Sequence, residues 1–172
     1  MLKRCLLVLC GVLCLLTCAT GSVFAISAEQ KAMIADNCTV IREDLKKVQR
    51  SDARARVYLG GKYELILNKY VTPLNVRLVE NSLSSVSFIE NQNTMASNKM
   101  KFANDYVEYQ QRLEELVSMD CKNESEAFYK KLEEVRTKRK KVEQDVKEMR
   151  NSLTKFVELV GKLKETLNAK TK

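Results

Sequence analysis

Apolar residues recur along the last third of the chain in alternating steps of four and three: Phe128, Leu132, Val135, Arg139, Val142, Val146, Met149, Leu153, Phe156, Val160, Leu163 and Leu167. Only Arg139 interrupts the row. The residues between are mostly Lys, Glu, Arg, Gln and Asp, so the stretch predicts one long helix with an apolar seam and a solvated back. About six heptads keep step without a slip, the spacing of a coiled coil.

The same rhythm is written upstream. Ile41, Leu45, Val48, Asp52, Ala55 and Leu59 make one row, which resumes past Gly60 and Gly61 at Tyr63, Ile66, Leu67, Tyr70, Leu74 and Leu78. The second part is displaced by about one residue, so a bend or stutter is expected at the glycine pair. A further row places Phe88, Met95, Phe102, Tyr109 and Leu116 seven apart, flanked by Tyr106 and Leu113, a face wide enough for two neighbours. Residues 90–98 are rich in Asn, Gln, Ser and Thr, which marks the softer end of that helix. Residues 26–37 read as a short polar lead-in or frayed helix, with Ala28, Ala32, Met33 and Ile34 as weak apolar contacts and Asp36 or Asn37 placed to cap the helix that follows.

The first residues change how the cysteines are counted. Lys3 and Arg4 precede an apolar run, and Ser22-Val23-Phe24-Ala25 offers the small residues that a signal peptidase reads, so cleavage after Ala25 is expected. An uncleaved anchor or a lipidated Cys18 are the alternatives. With the leader go Cys5, Cys10, Cys14 and Cys18; Cys38 and Cys121 remain, and two cysteines in an exported chain most simply form one disulfide. Of the 30 basic residues 28 then face 22 acidic ones, a net charge of about +6. That balance favours anionic surfaces weakly; an excess of lysine on a long solvated helix is the better explanation, and no specific nucleic-acid partner is expected.

The cysteines also choose between topologies. Turns at both Gly60-Gly61 and 81–85 would make a four-helix bundle and leave the two cysteines roughly 30 Å apart, beyond the 7 Å or so that a disulfide bridges. A single turn at 81–85 brings them side by side. The fold class expected is therefore all-α, an elongated antiparallel three-helix bundle or coiled coil with a Cys38–Cys121 disulfide at the base of the first hairpin. Its parts are a signal peptide (1–25), the lead-in (26–37), one helical domain (38–168, helices about 38–80, 85–119 and 124–168) and a tail (169–172). The chain's one proline, Pro73, falls inside the first helix and is expected to kink it.

Candidate sites are few. Arg139, the charge in the seam, is expected in a polar layer with Asp52, or with Asp105 or Glu108 of the second helix, or else to run its stem over the core into water. Arg136, Lys138, Lys140 and Lys141, level with Arg50, Arg54 and Arg56, form a candidate anion-binding surface, although on a helix such a run spreads around the cylinder. Asn37-Cys38-Thr39 and Asn123-Glu124-Ser125 match the N-glycosylation pattern. The sequence has no His, no Gly-rich phosphate loop, no paired-cysteine metal motif, and no Ser or Cys beside a recognisable base. No enzyme activity, cofactor or metal is expected.

At Asp52-Ala53-Arg54-Ala55-Arg56-Val57-Tyr58-Leu59-Gly60 and Tyr70-Val71-Thr72-Pro73-Leu74-Asn75-Val76-Arg77-Leu78 the chain resembles uncharacterised exported helical proteins of small host-dependent bacteria, the Saccharibacteria. The resemblance implies an extracytoplasmic bacterial setting and carries over no site. The reading that follows is an exported, non-enzymatic coiled coil that binds another protein or an envelope component, or acts as a spacer, with self-association an open option. The alternative is a carrier of lipid or another amphipathic ligand, held between separable helices.

Overall fold

In the computed structural model, which describes residues 26–170, every regular element is helical. The leader expected at 1–25 and the last two residues of the tail lie outside the described residues. Ser27 opens the first helix, α1 (Ala28–Asp36), with a capping box: its hydroxyl accepts from the Gln30 amide, and the Gln30 side chain accepts from the Ser27 amide. The polar lead-in is helical, and its Ile34 packs on the core. Asn37 does not cap the helix that follows; its side-chain amide donates to the Met33 carbonyl and finishes α1 instead.

Next comes a continuous helical rod made of α2 (Cys38–Ile66), one π-helical turn (Leu67–Val71) and α3 (Thr72–Glu80). Gly60 and Gly61 lie inside α2 with no break, so the expected stutter is not at the glycines. It sits at the π turn, where the Thr72 amide reaches back to the Leu67 carbonyl. Two causes meet there. Pro73 supplies no amide proton and its ring crowds the carbonyl four residues back, a conflict that a wider turn relieves. The turn also takes up the extra residue in the apolar row: Tyr63, Leu67, Val71, Asn75 and Leu78 are buried, whereas Tyr70, expected inside, is exposed.

The rod ends at Asn81, whose side chain donates to the Arg77 carbonyl, and the turn uses Ser82 at φ 53°. Helix α4 (Val86–Ser118) returns antiparallel to the rod, as Asn75 bonding Phe88, Asp52 bonding Tyr109 and Arg42 bonding the Val117 carbonyl together require. The Cys38–Cys121 disulfide closes this hairpin at its base, with Cα atoms 5.5 Å apart. Asp120 then turns the chain by accepting from the amides of Lys122 and Asn123, and α5 (Ser125–Lys170) runs back along α4, its last turn extending into the expected tail.

Helices α4 and α5 lie close together along their length, whereas α2 is associated mainly with α4. On α5, Phe128, Val135, Val142, Met149 and Phe156, one every seventh residue, are buried; Leu132, Val146 and Leu153 of the companion row are half-buried and Arg139 and Val160 exposed. The buried row faces α4, which answers with Phe88, Met95, Phe102, Tyr109 and Leu116. Along this seam a ladder of ion pairs joins the two helices: Lys131–Glu115, Glu134–Arg112, Lys138–Glu108, Lys141–Asp105 and Asp145–Lys101. Each rung advances three or four residues on α5 while retreating by the same number on α4, so the register holds over the whole run.

Candidate functional site

The thin side of the molecule is where α2 passes over α4 and α5. Between Asp52 and Gly61 the inward side of α2 offers only Ala55, Leu59 and the glycines, and a Cβ added at Gly60 or Gly61 would meet nothing within 4 Å. Neighbouring helices normally approach until their side chains interlock; these short residues leave the gap unfilled. The result is a groove of about 400 Å³ lined by Ala55, Leu59, Phe102, Tyr106, Tyr109, Val142 and Val146, with Asp52, Arg56, Arg139, Glu143, Lys147 and Arg150 on its rim. On the other flank of α2 a smaller recess of about 320 Å³ opens beside Gly60, Gly61, Glu64 and Lys99, and Phe102 stands between the two.

One end of the groove is closed by a bonded triad. Arg139 donates from Nε and Nη2 to the two carboxylate oxygens of Asp52 at 2.8 and 3.1 Å, and the Tyr109 hydroxyl donates to Asp52 Oδ2 at 2.7 Å. The bidentate bond holds Arg139 more firmly protonated than usual. Burial, reinforced by the Asp52 charge, pushes the Tyr109 hydroxyl well above the ordinary tyrosine range. The Arg139 side chain is nonetheless about half exposed, so its stem also reaches water. Arg139 thus meets Asp52 and reaches solvent at once. Asp105 and Glu108 do not join it: they bond Lys141 and Lys138, which sit on the α4 side of α5, whereas Arg139 is turned about 100° away toward α2.

The anion-binding surface is similarly divided. Arg136 pairs with Glu133, Lys138 with Glu108 and Lys141 with Asp105, so three of its cations are already balanced. Arg50, Arg54 and Lys140 are exposed and do not line the groove. Arg56 does, with its guanidinium 5.1 Å from the centre of the Tyr106 ring. The groove's other cations, Lys147 and Arg150, were missed by the sequence reading. They share the helical face of Glu143 and Val146 at three- and four-residue spacing, a signal that becomes legible only once α2 is known to stand off there.

Two further polar clusters escaped the sequence. Asp105 and Asp145 are neighbours within the α4–α5 seam, the Asp145 side chain being fully buried and neither of its carboxylate oxygens having a hydrogen-bond partner. Burial, together with the neighbouring Asp105 carboxylate, raises the Asp145 carboxyl against the opposing pull of Lys101. Burial also disfavours charge on Asp105, but its bond to Lys141 and the neighbouring Asp145 and Lys101 overcome this and leave it lowered. Nearer the far end, the Tyr63 hydroxyl bonds Ser152 Oγ at 2.8 Å, while Asn91 and Asn98 donate to the Ser152 carbonyl and hydroxyl oxygens. The Asn-rich stretch is thus tied into the core at those two residues.

Among the described residues no group of three or more His, Cys, Asp or Glu side chains could hold a metal ion, and no helix is long and apolar enough to cross a membrane. The disulfide suits an oxidising compartment. No family model matches the chain, and neither does any curated protein or solved structure.

Proposed function

We propose that the chain is an exported, non-enzymatic antiparallel three-helix coiled coil that acts as a protein-interaction module or spacer at the cell envelope or surface. One observation carries the reading. Large apolar side chains are left in solvent along the outside of the rod and at the hairpin tip: Tyr58, Leu65, Tyr70, Val76 and Val79, then Val86 and Ile89 across the turn. The heptad seam is satisfied without them, so they are surplus to folding; at the tip Val76, Val79 and Ile89 line one recess, and apolar surface gathered in this way is what a partner covers. The ion-pair ladder between α4 and α5 supports the coiled-coil register, and the disulfide supports an address outside the cytoplasm.

Two measurements test it. Intact-mass spectrometry of the protein from its own cells, with and without reduction, should give a chain beginning at Ile26 and lighter by one disulfide; a retained leader or two free thiols would sink the soluble, stapled version. Sedimentation of the purified mature chain should show weak association that Val79→Glu with Ile89→Glu abolishes. A strict monomer at high concentration removes self-association and leaves only a foreign partner for that face.

The second reading, a carrier of an amphipathic ligand between helices, now draws on the groove beneath α2 and not on the bonded Asn-rich end. A bundle that extracts no amphiphile from solution would count against it.

A further inference from the structure

We infer that the groove between α2, α4 and α5 is a binding site for a free single-chain anionic amphiphile, a fatty-acid-like carboxylate whose tail lies on Phe102, Tyr106 and Val146 and whose head group meets Lys147 and Arg150. The inference deepens the carrier reading and is independent of the interaction reading. Three observations carry it.

The cavity volume of about 400 Å³ falls within the range of small-ligand sites and is far too small for a partner helix. Its walls are apolar or aromatic; Phe102, Tyr106 and Val142 are buried at its bottom, whereas Val146 is half-buried and Ala55 and Leu59 are exposed, so a chain lying there would cover apolar surface that the fold itself leaves wet. The rim is charged unevenly. Asp52 is held by Arg139 and Tyr109, and Glu143 stands 4.0 Å from Arg139, so both acids are engaged at the same end. Lys147 and Arg150, at the other end, pair with no carboxylate among the described residues, and Arg56 rests on the Tyr106 ring. An anion is therefore welcome at one end of an apolar trough and excluded from the other. That polarity selects a molecule with one charged head and one apolar tail, and it selects the sign of the head.

The test is titration calorimetry of the oxidised full-length mature chain with dodecanoate below its micelle concentration, and with dodecyltrimethylammonium as the charge-reversed probe. Dodecanoate should bind at one site and the cation should not. Lys147→Glu with Arg150→Glu, both on the solvated rim and so compatible with folding, should weaken dodecanoate at least tenfold, about 1.4 kcal/mol or more, and admit the cation. Ala55→Phe, which fills the trough from α2, should abolish binding of both while leaving the helical circular dichroism unchanged.

Dodecanoate that binds equally to all three proteins overturns the site but leaves the carrier reading standing. No binding of either probe overturns both. If the wild-type chain sediments as a dimer that Ala55→Phe dissociates, a second copy occupies the groove and the proposal falls. If the chain ignores dodecanoate but floats with phosphatidylglycerol vesicles, the rim recognises a membrane surface and the proposal falls as well.

Discussion

Single side chains show where folding and electrostatics are at odds. The Asp145 side chain has no exposed surface, yet Lys101 Nζ, 3.0 Å away, is the cation that answers it, and neither carboxylate oxygen has a hydrogen-bond partner. Its carboxyl is raised by burial first, so the folded chain holds that proton at a pH where the unfolded chain has released it. The stabilisation from this group is complete below the ordinary aspartate range and is lost as pH rises through the higher folded value. Asp145→Asn, which keeps the shape without the charge, should therefore be more stable than wild type at pH 7, by about 1 kcal/mol, and equal to it at pH 4. Thermal melts at the two values decide; a variant less stable at pH 7 would mean that the Lys101 pair outweighs the burial. At the groove the sign reverses. Asp52→Ala leaves the buried Tyr109 hydroxyl and Arg139 without their shared acceptor, a loss of about 2 kcal/mol, and Asp52→Asn should recover part of it, as urea denaturation would show.

At the scale of elements, the apolar rows located three of the helices and the cysteine spacing chose their turn, because seven-residue periodicity and loop closure are both written in the order of residue types. Asp52 and Arg139 could be matched from that order alone. What stayed illegible depended on distance between helices. The Asp105–Asp145 pair sits at positions that look like ordinary surface acids, and Lys147 and Arg150 gain meaning only from a gap that α2 leaves. The displaced row was legible, but its cause was not at the glycines. Deleting the exposed Lys69 would return the buried residues from Tyr63 to Leu78 to four-three spacing and remove the need for the π turn, yet would restore the clash of Pro73. The deletion alone should cost up to about 3 kcal/mol, and the deletion with Pro73→Ala should be near neutral; equal urea midpoints for the two would assign the turn to something other than the proline. Gly60→Ala and Gly61→Ala meet open space on a regular helix, so each should add about 1 kcal/mol of stability.

The whole molecule is held differently at its two ends. At the far end the buried seam closes with Phe88 edge-on to Phe156, and the Tyr63–Ser152–Asn91 layer fixes which turn of each helix meets which. At the base Leu116, Cys121 and Phe128 are fully buried between α4 and α5, but α1 adds only Ile34 and a Lys31–Glu126 pair that is exposed and contributes little. There the covalent link between Cys38 and Cys121, 83 residues apart, limits the unfolded chain, by up to about 4.5 kcal/mol on chain-entropy grounds. Replacing both cysteines by serine tests this without disturbing packing, because Cys121 Sγ already lies 3.5 Å from the Cys38 carbonyl, within reach of a serine hydroxyl. The variant should keep its far-ultraviolet circular dichroism and its α4–α5 register, lose 3 kcal/mol or more in urea, and show amide exchange quickened first in α1 and the first turns of α2. Uniformly quickened exchange would mean that the base and the far end unfold as one unit. A loss below about 1 kcal/mol would mean that the hairpin's own contacts already restrict the unfolded chain, and that the disulfide serves to keep α2 over the groove rather than to keep the molecule folded.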